Sequence, residues 1–184
     1  MRNSESRTRP SYVTSRIGIW VSLSVLARIA KHLLIGPMQV INLPLIFAMV
    51  AGYLDGTLYG FIVGFLSFLI SDSFLGIGIW TFVDGLIAGL VGTVSGTIRG
   101  RDFCLWELSV ISYLLTFTYD VLTSCLLYMA FGLDPLISLI TGLLGLFIPA
   151  GGGSAFMIGP ITETITALTF SILVLELKKR SLAN

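Results

Sequence analysis

The chain has few charged residues. Of its 184 residues only 11% are charged, whereas 55% are hydrophobic, and the mean hydropathy is +0.94. So little charge in so apolar a chain excludes a soluble globular domain and indicates an integral membrane protein. The net charge of +1 gives no sign of a nucleic-acid partner, and we expect none.

The residue types that carry metal and enzyme chemistry are also scarce. The two cysteines, Cys104 and Cys125, lack CxxC spacing, and the single histidine, His32, has no second His or Cys at ligand spacing. We therefore expect no metal site and no cofactor. No GxxxxGK[ST], HExxH or GxSxG motif is present, so we assign no catalytic residue and expect any ATP hydrolysis to occur on another chain.

Six stretches are apolar enough to be candidate membrane-spanning helices, which need about 20 residues each. They comprise residues 17–36, 40–54, 58–76, 79–98, 108–131 and 154–177. The second is short and contains Pro44, which could kink it or begin it. Residues 135–150 are too short and too glycine-rich for a span, so we interpret them as an outer loop, a re-entrant piece or an extension of a neighbour. The sequence thus predicts an all-α bundle of six transmembrane helices over residues 17–177.

Positive charge predicts the orientation of this bundle. Three basic clusters flank the spans: Arg2, Arg7, Arg9 and Arg16; Arg99 and Arg101; and Lys178, Lys179 and Arg180. With six spans all three face the cytoplasm, as the positive-inside rule requires. We therefore predict a multi-pass protein of the cell membrane with both termini cytoplasmic. Residues 1–16, a polar segment without a signal peptide, precede the spans, and residues 178–184 form a basic tail.

Ionisable residues inside the predicted spans point to a polar site. They are Arg28, Lys31, Asp72, Asp84, Asp120 and Glu163. Each costs about 2.5–3.5 kcal/mol in a bilayer, so each is expected to face a partner, a cavity or a ligand. The predicted topology places them in the outer part of the bundle, which indicates a pocket open to the outside. The alternative is structural pairing, for example of Arg28 with Asp84 or Glu163.

Three further residues extend this candidate substrate-binding set. Asp120, Ser124 and Tyr128 recur every four residues and are expected to share one face of the fifth helix. Trp80 is expected at a span end, where its ring could stack on a ligand.

Small residues recur every three or four positions in the third and fourth predicted spans. The series are Gly56, Gly60 and Gly64, and then Gly85, Gly89, Gly92 and Gly96. Such stripes let helix backbones approach closely in lipid. They indicate packing within the chain, or a docking surface for another membrane subunit.

Three stretches resemble the substrate-binding S components of energy-coupling factor (ECF) transporters. They are LPLIFAMVAGYLDGTLYGFIVGFLS at residues 43–67, DGLIAGLVG at 84–92 and TFTYDVLT at 116–123. The first is similar to the second and third helices of those proteins, the second to their glycine-rich fourth helix, and the third to part of the fifth. The chain length and the six predicted spans also resemble that family.

The resemblance implies a membrane subunit that binds a vitamin or related micronutrient from outside and associates with a transmembrane T subunit and two ATPase subunits. An Ala-x-x-x-Ala pattern on the family's first helix contacts the T subunit, and its nearest counterpart here is Gly18-x-x-x-Ser22. The nickel and cobalt branch begins Met-His, whereas this chain begins Met1-Arg2, so a metal substrate is not expected. A small membrane enzyme and a stand-alone carrier are the alternatives. An inverted repeat, which would favour a carrier, is not visible.

Overall fold

Seven helices form the computed structural model, which describes residues 10–36, 40–148 and 159–183, and all regular structure in these ranges is helical. We number the helices in chain order: α1 Pro10–Ile35, α2 Leu43–Asp55, α3 Thr57–Leu75, α4 Ile79–Thr97, α5 Leu105–Ala130, α6 Pro135–Gly145 and α7 Gly159–Ala183.

Five of these helices (α1, α3, α4, α5 and α7) are long and apolar enough to cross a membrane. Their outer surfaces are apolar: Leu33 and Leu34, for example, are 77% and 84% exposed. Polar side chains such as Ser71, Ser112 and Glu163 are instead buried between helices. Apolar surfaces around a partly polar interior suit a lipid environment, and the fold is that of a helical, multi-pass membrane protein.

Helix α2 falls short of the predicted second span. It has 13 residues, about 20 Å of helix, whereas the hydrocarbon core of a bilayer is about 30 Å thick. Five helices, and not six, therefore have the length of a span. Its ends are set locally: the Asn42 side chain accepts a hydrogen bond from the Leu45 N–H at 3.2 Å, and Gly56, with φ of 125°, ends the helix. Pro44 lies in the first turn and begins the helix without kinking it.

The stretch at residues 135–150 contains a separate helix, α6, of 11 residues. The Asp134 side chain caps it by accepting a hydrogen bond from the Leu136 N–H at 2.9 Å, and Pro135 occupies the first turn. It packs against α5. Residues 149 and 150 lie outside the described residues.

Two predicted boundaries change because helical structure continues beyond the apolar stretches. Helix α1 begins at Pro10, so part of the predicted polar segment is helical, and α7 continues to Ala183 through the predicted basic tail. Residues 1–9 and 149–158, which include the first residues of the predicted sixth span, lie outside the described residues.

Helix α2 is the centre of the bundle. It packs against α1, α3, α4 and α7, and nine of its 13 residues are buried. Met49 and Val50 are fully buried, and the Ser95 hydroxyl of α4 donates to the Met49 carbonyl oxygen at 2.9 Å. Because other helices surround it, α2 does not need the length or the outer apolar surface of a lipid-facing span.

The glycine stripes of α3 and α4 are packing surfaces within the chain. A Cβ atom at Gly60 would lie 2.2 Å from the Gly92 carbonyl oxygen, and one at Gly64 would lie 2.6 Å from the Ala88 carbonyl carbon. A Cβ atom at Gly52 of α2 would lie 2.0 Å from the same Gly92 oxygen. The packing interpretation is therefore confirmed for these residues, because the backbones of three helices are in direct contact.

Polar contacts hold together the end of the bundle where α4 leads into α5. Asp55, at the end of α2, forms an ion pair with Arg16 and accepts a hydrogen bond from the Trp20 indole at 2.6 Å. The Tyr53 hydroxyl donates to the Arg101 carbonyl oxygen at 2.7 Å. These contacts join α1, α2 and the loop before α5.

We expect Gly92→Ala to destabilise the protein. The added methyl group would lie 2.4 Å from the Gly60 carbonyl oxygen, and separating the two helices should cost about 1–3 kcal/mol or more. The measurement is the midpoint of thermal unfolding in detergent. Gly18→Ala is the matched control, because a Cβ atom there meets nothing within 4 Å. Equal midpoints for the two variants would contradict the close α3–α4 contact.

Candidate functional site

A cavity of about 380 Å³ lies at the opposite end of the bundle from the α4–α5 connection. All seven helices contribute to its lining. The contributing parts are the second halves of α1, α3 and α5, the first half of α4, and the beginnings of α2 and α7. The end of α6 and the residues that follow it complete the lining. Its volume is in the range of small-molecule sites.

The structure brings five of the predicted binding residues together around this cavity: Arg28, Lys31, Asp84, Asp120 and Ser124. Asp72 and Glu163 do not line the cavity, but each interacts with a residue that does. Trp80 and Tyr128 are not among the lining residues.

Arg28 is held in place on three sides. Its Nη1 atom lies 2.6 Å from the Asp72 carboxylate and also donates to the Ser71 hydroxyl. Its guanidinium carbon lies 4.6 Å from the centroid of the Phe68 ring, a cation–π distance. The pairing of Arg28 with Asp84 or Glu163 that we considered from sequence is therefore wrong. Helices α1 and α3 are neighbours, so the partner comes from α3.

Acidic side chains from three other helices lie at the cavity wall or directly behind it. Asp84 of α4 and Asp120 of α5 line it. Glu163 of α7 is 1% exposed, and its carboxyl group lies against Asp120 and Tyr113. Neither Glu163 oxygen makes a hydrogen bond of good geometry within the part of the chain that the structure describes. Charges of both signs thus face one small cavity.

Two aromatic rings and an amide form a wall that we did not predict. Phe68 and Tyr119 stack with ring centroids 6.2 Å apart, and the Tyr119 hydroxyl contacts the Asn42 side chain. The Asn42 N–H donates to the Thr166 hydroxyl at 3.1 Å, which ties the start of α2 to α7. Two local signals were available: Asn42 directly precedes a helix start, and Tyr119 is adjacent to Asp120.

Trp80 and Tyr128 lie away from the site for reasons of helix geometry. The Trp80 ring is 45% exposed and lies over Gly78 at the start of α4. Residues four apart on an α-helix are offset by about 40°, because one turn takes 3.6 residues. Tyr128, eight residues beyond Asp120, is therefore rotated by twice that angle from it. Its side chain is half-buried and does not line the cavity.

Gly18 and Ser22 are exposed on the surface of α1, far from the cavity along the helix. A Cβ atom at Gly18 would meet nothing within 4 Å. Gly18 differs in this respect from the glycines at the α3–α4 contact, which pack within the chain.

The described residues contain no group of three or more His, Cys, Asp or Glu side chains that could hold a metal ion. Comparison of the chain with protein-family models, with curated proteins and with solved structures gave no match. The assignment of function therefore rests on the cavity and on the sequence.

We expect Asp72→Asn to destabilise the ligand-free protein, because it leaves the Arg28 charge without its buried partner. Breaking a buried ion pair typically costs about 3–5 kcal/mol. Thermal unfolding should show a marked fall in midpoint, which Arg28→Gln in the same chain should partly restore. The matched control is Asp102→Asn, whose side chain is 93% exposed in its pair with Lys178 and should matter little. An unchanged midpoint for Asp72→Asn would contradict the role of the ion pair.

Proposed function

We propose that this protein is the substrate-binding subunit of an ECF-type importer and binds a vitamin or related small micronutrient. The observation that carries the proposal is the cavity: a polar space of small-molecule size, with charged groups of both signs, inside a bundle of membrane-type helices. Inside a membrane such groups are costly, so they indicate a site that receives a polar solute.

The chain has no P-loop motif, so uptake against a gradient would draw its energy from other chains. The resemblance of residues 43–67, 84–92 and 116–123 to S components supplies the identity of those chains: a transmembrane T subunit and two ATPase subunits. Lipid would surround the remaining apolar surface.

The proposed topology has six crossings, with α2 as a short, buried one. Both termini and the α4–α5 loop would face the cytoplasm, since the basic residues of the chain cluster there. The cavity, at the other end of the bundle, would then open to the outside, where a nutrient is captured.

The exposed Gly18 and Ser22 of α1 are proposed to contact the T subunit. They lie on the half of α1 that is nearer the proposed cytoplasmic side, and small residues at this spacing permit close helix contact. Because a Cβ atom at Gly18 would meet nothing within 4 Å among the described residues, packing against those residues does not explain its small size.

The topology predicts distinct labelling of introduced cysteines. In a background with Cys104→Ser and Cys125→Ala, Gly152→Cys should react with a membrane-impermeant maleimide added outside intact cells. Ser181→Cys should react only after the membrane is permeabilised. The opposite pattern would reverse the orientation of the bundle and place the cavity on the cytoplasmic side.

The proposed assembly predicts that a variant of α1 can lose transport without losing solute binding. Cells that express the chain with a T subunit and two ATPases should accumulate its solute only while ATP is available. The solute is to be identified by mass spectrometry of small molecules that co-purify with the protein. Gly18→Leu and Ser22→Leu should reduce this uptake and leave solute affinity in detergent unchanged, because neither residue is near the cavity.

Ala30→Leu is the matched control for these variants, since Ala30 is an exposed small residue on the same helix, at the end away from the proposed contact. Equal uptake by all three variants would remove α1 from the contact. Uptake without ATP would indicate a stand-alone carrier, and chemical conversion of the solute by the purified protein would indicate an enzyme.

A further inference from the structure

We propose that the solute is an organic cation, whose protonated amine or positively charged ring binds against Asp84 and Asp120. This inference rests on the proposed function, because it names the chemical class of the solute that the cavity takes.

Carboxyl groups outnumber basic groups when the residues that line the cavity are counted together with their direct neighbours. Arg28 and Lys31 are the two basic residues that line it, and Asp84 and Asp120 are the two acidic ones. Each of these two pairs has one further acidic neighbour. Asp72 lies beside Arg28, and Glu163 lies beside Asp120. Four carboxyl groups thus accompany two basic groups, so the site can carry more negative charge than positive, and a bound cation would stabilise the ionised carboxylates.

The charge of Arg28 is already matched within the protein. Its guanidinium is 2.6 Å from the Asp72 carboxylate, which is 2% exposed, and it is also fixed by Ser71 and the Phe68 ring. An anionic solute would have to compete with Asp72 for this group. The ion pair therefore favours a structural role for Arg28 over the binding of a carboxylate or phosphate.

The two acidic residues that line the cavity are not paired in this way, although Asp84 lies within electrostatic range of Arg28. Asp84 and Asp120 take part in none of the three ion pairs formed among the described residues, which are Arg16–Asp55, Arg28–Asp72 and Lys178–Asp102. Both side chains line the cavity and are only partly buried. They are therefore accessible to a solute from inside it.

Glu163 is the second, independent observation. It is 1% exposed, and neither of its oxygens has a hydrogen bond of good geometry within the described residues. Its carboxyl group lies against Asp120, so two carboxyl groups from α5 and α7 meet at one edge of the cavity. Carboxyl groups this close repel one another when both are ionised, and a positive group bound beside Asp120 would relieve that repulsion.

Hydroxyl oxygens beside Asp120 extend the acceptor surface. Thr123 and Ser124 follow on α5 and also line the cavity. The Thr123 hydroxyl donates its hydrogen to the Tyr119 carbonyl oxygen at 2.9 Å, so its lone pairs are left to accept. An ammonium group or an aminated ring, with several N–H donors, matches such a surface of acceptors.

The test compares compounds that differ in charge but not in ring. Benzylamine, benzyl alcohol and benzoate, with the corresponding pyridine and imidazole derivatives, are added to the purified full-length protein in detergent, and the shift in the unfolding midpoint is measured. We expect the amines to raise the midpoint, and the neutral and anionic members to have a much smaller effect.

The variants locate the binding. Asp84→Asn and Asp120→Asn should each weaken binding of the most effective amine about tenfold to a hundredfold, the loss expected for a buried charge-assisted contact. Glu163→Gln should also weaken it.

Glu176→Gln is the matched control on α7, because Glu176 is exposed at the other end of that helix and should leave the affinity unchanged. The midpoint of each ligand-free variant shows whether it still folds, and two aspartates on different helices are tested so that one unstable variant does not decide the result.

The proposal is overturned if no amine stabilises the protein, if benzoate or benzyl alcohol derivatives stabilise it as much as the amines do, or if both aspartate variants keep full affinity. Binding of an anion or neutral solute together with ATP-dependent uptake would refute the cation assignment alone. Absence of any co-purifying solute and of any uptake would refute the importer itself.

Discussion

The contact between the backbones of α3 and α4 at Gly60 and Gly92 is the interaction on which the rest of the bundle depends. In lipid, apolar surface alone does not drive helices together, so close approach through small residues supplies much of the stabilisation. Gly52 of α2 joins the same contact. Because three backbones meet there, a helix of only 13 residues is held at the centre. The position of α2 in turn sets that of Asn42, which precedes it at the cavity.

The two ends of the bundle differ in how their charged side chains are paired. At the end near the α4–α5 loop, Asp55 is matched by Arg16 and Trp20. In the same region the Lys178 ammonium group donates a hydrogen bond to Asp102 and holds the pKa of that carboxyl group below its ordinary value. At the other end Arg28 is matched by Asp72, but Asp84 of α4 and Asp120 of α5 line a cavity, and Glu163 of α7 lies against Asp120. Carboxyl groups that take part in no ion pair among the described residues are therefore concentrated at one place, where we propose that a positively charged solute binds.

The cost of burying charge in a membrane was a good guide to the site. It selected Arg28, Lys31, Asp84 and Asp120 from a chain with few charges, and the structure brings all four to one cavity. The same argument could not find the wall formed by Phe68, Tyr119 and Asn42, because it considers only side chains that carry a charge. It also could not assign the partner of Arg28, since that depends on which helices are neighbours.

From the sequence alone the membrane class, five of the six predicted spans, packing as one of two interpretations of the glycine stripes, and most of the charged residues at the cavity could be predicted. These follow from local properties: hydropathy, residue spacing and the cost of charge in lipid. Only the tertiary structure decided that α2 is a short central helix, that α6 is separate, that Arg28 pairs with Asp72, and that Trp80 and Tyr128 lie off the cavity. Each of these depends on the order and rotation of the helices around one another, which arise from contacts between residues distant in the chain.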